Sequence, residues 1–154
     1  MKSFTALTTA ILAGLVSAKP LHTRATTEFD VTSFSANTLP HGTAASIGFK
    51  IAAAPGGAST ECKYSDNTSV GHLPDVPFRP CDDAAFQWQF RQEPSQPGTE
   101  GQYLIVVKYD DPTLGHPVAG AHEWPASDFP FENQGSTVSQ AYRGEPDFVI
   151  QADQ

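Results

Sequence analysis

The sequence predicts an all-β protein: a single-domain antiparallel β-barrel or β-sandwich of about eight short strands with one disulfide. Apolar and polar residues alternate at period two in several segments, which is typical of strands. No window of a dozen residues carries the helical i, i+3, i+4, i+7 pattern. Pro and Gly, with 13 and 12 copies in 154 residues, also interrupt the chain every few positions, as they do between short strands.

The first predicted strands lie in "EFDVTSF" and "SIGFKIA". Phe29 and Val31 share one face, and Ser33 interrupts the alternation before Phe34, as a β-bulge would. The second segment places its three large apolar residues on one face. "APGGAST" follows and is typical of a turn between two strands.

The central strands are predicted in "AFQWQFR" and "QYLIVVKY". In the first, Trp88 lies between two Phe residues of the same face, so we expect it in the core. The second is apolar on both faces, which predicts a strand covered on both sides. "PVAGAHEW", "STVSQAYR" and "PDFVIQ" complete the set. "EPSQPGTEGQ" and "PASDFPFENQGS" are predicted to be long loops, the latter because Pro130 opposes strand pairing.

The N-terminus has the features of a secretory signal peptide. Lys2 precedes a short apolar run, and the small residues of "VSA" place the cleavage site after Ala18. The run is shorter than the roughly 20 residues of a membrane span, so we expect a secreted, extracellular protein without a membrane anchor. A further processing step is predicted after Arg24 in "KPLHTR". The predicted organisation is a signal peptide at 1–18, a pro-segment or disordered N-terminus at 19–26, and the β-domain at 27–152.

The charge of the chain excludes two classes of partner. The formal net charge is −8, and removal of residues 1–24 would take away Lys2, Lys19 and Arg24 but no acid, giving −11. Such a surface repels phosphate backbones and anionic lipids. We therefore expect no nucleic-acid partner and no membrane partner.

Two cysteines, Cys62 and Cys81, predict a structural disulfide in an exported protein. A zinc site needs about four ligands at characteristic spacings, and the chain has no Cys-x-x-Cys. Between the cysteines, Asn67 begins an Asn-Thr-Ser acceptor sequence and is a predicted N-glycosylation site on an exposed loop. We predict no metal site.

The residues that could carry catalysis are poorly placed for it. The doublets Asp82-Asp83 and Asp110-Asp111 are predicted at strand ends, where Asp forms turns, and sequence neighbours on a strand point in opposite directions. Gly-x-Ser-x-Gly is absent, as are paired His motifs around His41, His72, His116 and His122. We therefore predict no catalytic residues, no cofactor and a protein that is not an enzyme.

Aromatic residues beside the second long loop are candidate exposed contacts: Trp124, Phe129 and Phe131.

The order of segments "KPLHTR", "FDVTSFSANTLPHGTAASIGFKI", "HLPDVPFRPC", "FQWQF", "YLIVV" and "VSQAYRGEPDFVI" resembles the Alternaria major-allergen-like family of small secreted fungal β-barrel proteins. The resemblance implies an effector, elicitor or allergen without recognised catalytic residues. It also implies partners among host extracellular proteins, including thaumatin-like defence proteins, and small phenolic ligands. The family disulfide maps onto Cys62 and Cys81, whereas the founding allergen's additional cysteines are absent.

Three functions follow as hypotheses. The first is a secreted, non-enzymatic fungal protein that binds host extracellular proteins. The second is a β-barrel that binds a carbohydrate or a small apolar ligand, which requires a lined apolar pocket. The third is a cell-wall glycosidase, which requires two carboxylates about 5–10 Å apart across a cleft.

Overall fold

A computed structural model of the protein describes residues 28–39, 43–93, 102–112 and 115–153. The predicted signal peptide and pro-segment, together with His41, lie outside these residues. Ten strands are present in the described part: β1 Glu28–Thr38, β2 Ala45–Ala52, β3 Ser59–Ser65, β4 Val76–Pro80, β5 Phe86–Gln92, β6 Tyr103–Asp111, β7 His116–Trp124, β8 Phe131–Gln134, β9 Thr137–Gln140 and β10 Phe148–Asp153. A single 3₁₀ turn, Ala126–Asp128, precedes β8, and no α-helix occurs in these residues. The all-β prediction is confirmed.

Eight strands form one antiparallel sheet in the order β3-β2-β1-β10-β7-β6-β5-β4, and β8 pairs only with β9. The sheet curls until its two edge strands lie close together, where a disulfide joins Cys62 in β3 to Cys81 just after β4. The result is a nearly closed barrel. We call the boundary between β3 and β4 the seam, since no backbone ladder between these two strands is present in the described sheet.

The interior of the barrel is filled by the alternating residues of its strands, as the sequence predicts. Trp88 is 0% exposed and lies edge-on against Phe49 of the opposite wall at 5.1 Å between ring centroids. The prediction that Trp88 belongs to the core is confirmed. The largest fully buried side chains of the described residues also include Phe29, Phe90, Phe129, Ile47, Ile51, Ile105 and Ile150.

The predicted interruption at Ser33 is a true bulge. The pairing of β1 with β2 changes register between Thr32 and Ser35, and Ser33 has a positive φ of 58°. Its backbone N–H donates to Oδ1 of Asp147 at 2.8 Å, which satisfies a donor that the ladder leaves unpaired. The bulge brings Phe34 back to the interior face, where it is 3% exposed.

Two sequence expectations need correction. The segment Pro125 to Ser136 was expected to be a loop, but it contains β8, because Pro130 immediately precedes that strand and removes no donor within it. Strand β6 was expected to be covered on both faces, and this holds only for its first half. Leu104 is 5% exposed on the outer face, whereas Lys108 is exposed. In the described residues, no helix has the length and apolarity needed to cross a bilayer.

Candidate functional site

Two of the three predicted contact residues are buried. Trp124 is 4% exposed and stacks on Phe34 at 4.8 Å, and Phe129 is 1% exposed and lies 4.1 Å from the ring of Tyr103. The interpretation of Trp124 and Phe129 as exposed contacts is therefore corrected: both belong to the core. None of the residues of the 3₁₀ turn between them is buried, but Phe129, directly after the turn, packs against Trp124 and Tyr103 in the core.

A buried amide holds that turn in place. Gln140 is 1% exposed, and its Nε2 donates to the Phe129 carbonyl at 3.1 Å and to the Tyr103 hydroxyl. Its Oε1 accepts from the backbone N–H of Leu73 at 2.9 Å. Burial raises the pKa of Tyr103, so its hydroxyl stays protonated at neutral pH. Gln140 thus ties the loop after β3 to the segment that leads into β8.

The third predicted residue, Phe131, does face solvent. It is 49% exposed, and the ring of His72 packs edge-on against it at 5.0 Å. Val138, on the neighbouring strand β9, is 40% exposed, and Val70, two residues before His72, is 67% exposed. We call Val70, His72, Phe131 and Val138 the Phe131 surface.

Gly71 explains why these four side chains lie together. It is buried with a φ of 70°, and a Cβ at this position would lie 3.0 Å from the backbone oxygen of Val138. Only a residue without a side chain can approach β9 this closely in this conformation. The loop is therefore pressed against the hairpin, with Val70 and His72 on either side of the contact.

Asp66 holds the start of the loop that contains Val70 and Gly71. Its carboxylate accepts hydrogen bonds from the Ser69 hydroxyl at 2.6 Å, the Tyr64 hydroxyl at 2.7 Å, and the backbone N–H groups of Ala45, Thr68 and Ser69. The Ser69 hydroxyl is the main reason that the pKa of Asp66 lies well below its usual range. The hydrogen bond from the Tyr64 hydroxyl to Asp66 raises the pKa of Tyr64, because the phenol donates to a carboxylate.

The Cys62–Cys81 disulfide is present, with 4.2 Å between the two Cα atoms, so that prediction is confirmed. Asn67 is exposed in the loop between the cysteines, and its carbonyl accepts from the Thr43 hydroxyl at 2.8 Å. Its glycosylation stays a prediction. The loop is held at its base by the disulfide and, four residues after Cys62, by the hydrogen bonds of Asp66.

The acidic doublets lie at a turn before β5 and at the end of β6. Asp83 caps a turn, since its Oδ1 accepts from the backbone N–H of Ala85 at 3.0 Å. Asp110 is exposed whereas Asp111 is 4% exposed, so the two lie on opposite faces of β6. A shallow depression of about 240 Å³ lies beside them, lined by Asp110, Asp111, Pro112, Gly115, His116 and Pro117.

The histidines of the described part are separate from one another in role. His72 and His116 are exposed, and His122 stacks on Phe148 at 4.4 Å, where burial lowers its pKa. Within the described residues, no group of three or more His, Cys, Asp or Glu side chains could hold a metal ion.

Sequence reasoning missed Val70 and Val138. Val70 is the only large apolar residue in "NTSVGH", a polar loop, and could have been noticed on that ground. Val138 could not, because its position beside Phe131 depends on the pairing of β8 with β9 as a separate two-stranded sheet, which the sequence did not predict.

The fold and its disulfide define a class: small all-β proteins with one nearly closed antiparallel barrel and a disulfide across the seam. Among solved structures, the chain is similar to the crystal structure of the Alternaria alternata major allergen Alt a 1. The TM-score is 0.41 at 17% sequence identity, over 82% of this chain and 92% of that chain. No sequence-family profile matches the chain, and no curated protein matches it. At this identity and TM-score the likeness identifies no partner and no functional residue.

Proposed function

We propose that the protein is a secreted, non-enzymatic binding protein that uses the Phe131 surface to dock on basic extracellular proteins of a host. The observation that carries the proposal is the convergence of three exposed apolar side chains, Val70, Phe131 and Val138, on the β8–β9 hairpin and the loop packed against it. Contiguous exposed apolar surface is a common mark of interaction sites. Aromatic anchors such as Phe131 are enriched in the centres of interfaces.

Charge complementarity selects the kind of partner. The formal net charge is −8, and three of the six Lys and Arg side chains of the described residues form ion pairs with carboxylates. Lys63 pairs with Glu61 and Asp82, while Arg91 pairs with Glu93 at 2.6 Å. A surface with so few available cations would be repelled by acidic proteins and steered toward basic ones. Basic defence proteins of the thaumatin-like class fit this description.

Two features support a binding role over catalysis. The described contacts of the acidic doublets are those of structural carboxylates: Asp83 caps a turn, and Asp111 is buried at the end of its strand. Both cysteines are consumed by the disulfide, so neither is available as a thiolate nucleophile. The disulfide and the predicted signal peptide agree with an extracellular site of action.

The test uses a matched pair of valines. Val138 and Val149 are both on strands and are 40% and 43% exposed, but only Val138 belongs to the Phe131 surface. Oxidised protein would be immobilised, and the basic fraction of plant extracellular fluid, collected by cation exchange, would be passed over it. We expect Val138→Ser and Phe131→Ala to weaken retention of the captured protein by tenfold or more, since a central apolar anchor is worth about 2 kcal/mol.

Val149→Ser is the control and should bind as wild type does. Raising the salt concentration should slow association of the wild type. Equal retention by Val138→Ser and wild type would refute the surface, and hydrolysis of wall glycans by the wild type would refute the non-enzymatic role.

A further inference from the structure

At the seam, the described barrel wall lacks the regular backbone ladder that joins its other neighbouring strands. Strands β3 and β4 end the sheet on either side of it, and the contacts that cross it are few. Beside the disulfide, the backbone N–H of Asp82 donates to the Glu61 carbonyl at 2.8 Å. Farther along, the guanidinium of Arg79 lies 5.2 Å from the centre of the Tyr64 ring.

Arg79 points toward the interior of the barrel. In the register of β4 and β5 it lies directly opposite Trp88, and directly opposed residues of antiparallel strands share a face. Trp88 is wholly interior, so Arg79 extends from the same interior face. Tyr64, opposite the buried Ile47, belongs to that face as well.

These two opposed residues carry buried donors without acceptors. Nε of Arg79 and Nε1 of Trp88 are both buried and have no hydrogen-bond partner among the described residues. Among the described residues, Arg79 also makes no ion pair, and its guanidinium has a cation–π contact with the ring of Tyr64. A buried N–H group without an acceptor lowers the stability of a protein, more so when the group is charged, and native proteins pair nearly all such groups with an acceptor.

We propose that Arg79 and Trp88 form a binding site for the carboxylate of a small organic acid that enters through the seam. A carboxylate is acceptor-only and planar, and it offers several lone pairs to converging donors. The Arg79 Nε–H and the Trp88 indole N–H would each donate to it, and the guanidinium would supply the opposite charge. A neutral carbonyl could accept the same bonds but would leave the half-buried cation without a counter-charge.

The surroundings restrict the size of the acid and give it a route. The rings of Phe49, Tyr64 and Trp88 occupy the neighbouring interior, so an acid bound between Arg79 and Trp88 must be short. Arg79 and Tyr64 are themselves half-buried, although the Arg79 Nε atom is fully buried. The pair therefore lies at the boundary between solvent and core. The site uses no residue of the Phe131 surface and does not depend on the function proposed above.

Nuclear magnetic resonance can observe both donors directly. The chain has two tryptophans, so a ¹⁵N-labelled sample gives two indole N–H signals, and Trp88→Phe assigns them. Acetate would be titrated at constant ionic strength, with acetamide as the neutral molecule of the same shape. We expect acetate, but not acetamide, to shift the Trp88 indole and Arg79 Nε–H signals with saturation, while the Trp124 indole stays in place.

Arg79→Gln should abolish the saturable shift, and Arg79→Lys, which keeps the charge but loses the planar donor, should weaken it by about tenfold or more. Arg143→Gln, which removes an exposed arginine paired with Glu132, is the control and should titrate as wild type does. The dispersion of each spectrum reports whether the variant is folded. If Arg79→Gln does not fold, Arg79→Lys provides the test. Unmoved signals would overturn the site, leaving the donors to water only. So would equal shifts with acetamide, or an unchanged response in a folded Arg79 variant.

Discussion

The two sides of the barrel are held together by different physical means. On one side, β2, β1, β10, β7, β6 and β5 pair in unbroken succession around a packed aromatic cluster. On the other side, the seam joins β3 to β4 by a disulfide and a few individual contacts. We therefore expect the aromatic side to supply most of the stability. The seam, in contrast, holds the polar groups that lack partners and the loop between the cysteines.

The aromatic cluster works by close contact among rings from distant parts of the chain. Phe34 of β1 stacks on Trp124 of β7, and Tyr142 lies edge-on against Phe34 at 4.9 Å. Phe129 and Phe148 lie edge-on against the same tryptophan, at 5.7 and 5.2 Å. Each pair contributes about 0.5–1.5 kcal/mol beyond simple burial. No single covalent bond is needed to hold this side.

The sharpest way to break the aromatic side is to remove its central ring. We expect Trp124→Ala to lower the free energy of unfolding by about 3–5 kcal/mol, because it leaves a cavity among several rings. Urea unfolding followed by circular dichroism measures the change. Phe131→Ala is the matched control, since that ring is 49% exposed and its loss should cost less than about 1 kcal/mol. Equal losses in the two variants would mean that Trp124 is not the centre of the cluster.

Breaking the seam covalently should have a smaller effect. The double variant Cys62→Ser, Cys81→Ser should lose about 3 kcal/mol, because the bond closes a loop whose ends are 19 residues apart and restricts the unfolded chain. Urea unfolding measures this loss as well. Dithiothreitol should destabilise the wild type by a similar amount and leave the double variant unchanged. If the wild type unfolds at the same urea concentration with and without reductant, the disulfide does not stabilise the seam.

The contrast between the two sides also explains what could be predicted from the sequence. Strand positions follow from period-two patterns, and the bulge at Ser33 follows from a single interruption of that pattern. The disulfide follows from two cysteines in a chain with a predicted signal peptide. The strands and the bulge depend on neighbouring residues, and the disulfide has only one possible pairing because the chain has two cysteines. These features can therefore be predicted from the sequence.

The exposure of individual aromatics was harder to predict, because it depends on tertiary contacts. Trp124, Phe129 and Phe131 lie within eight residues, yet only Phe131 faces solvent. The difference is made by Gln140, which pulls the Phe129 carbonyl inward from eleven residues away. Likewise, the unpaired donors of Arg79 and Trp88 become visible only once the register of β4 and β5 is known.

The finest test of the comparison concerns the loop at the seam, where one side chain replaces many rings. Asp66→Ala removes the acceptor of five hydrogen bonds and should cost about 1–2 kcal/mol at pH 7, because the site is half-buried and water competes for the donors. Urea unfolding at several pH values measures it. Asp82→Ala is the control: Asp82 is exposed and its ion pair with Lys63 is 3.5 Å long, so little stability should be lost.

The pH dependence gives this test its sign. Folding lowers the pKa of Asp66 below the value near 3.9 that an unfolded aspartate has, so its carboxylate stabilises the fold fully above about pH 4. That contribution is lost as the pH falls through the region below 3.9 toward the lowered pKa of the folded state. The difference between wild type and Asp66→Ala should therefore be constant from pH 7 to pH 5 and should shrink toward pH 3 and below. A difference that stays the same at low pH would show that Asp66 acts through its shape and not its charge, and the seam would then depend on packing just as the aromatic side does.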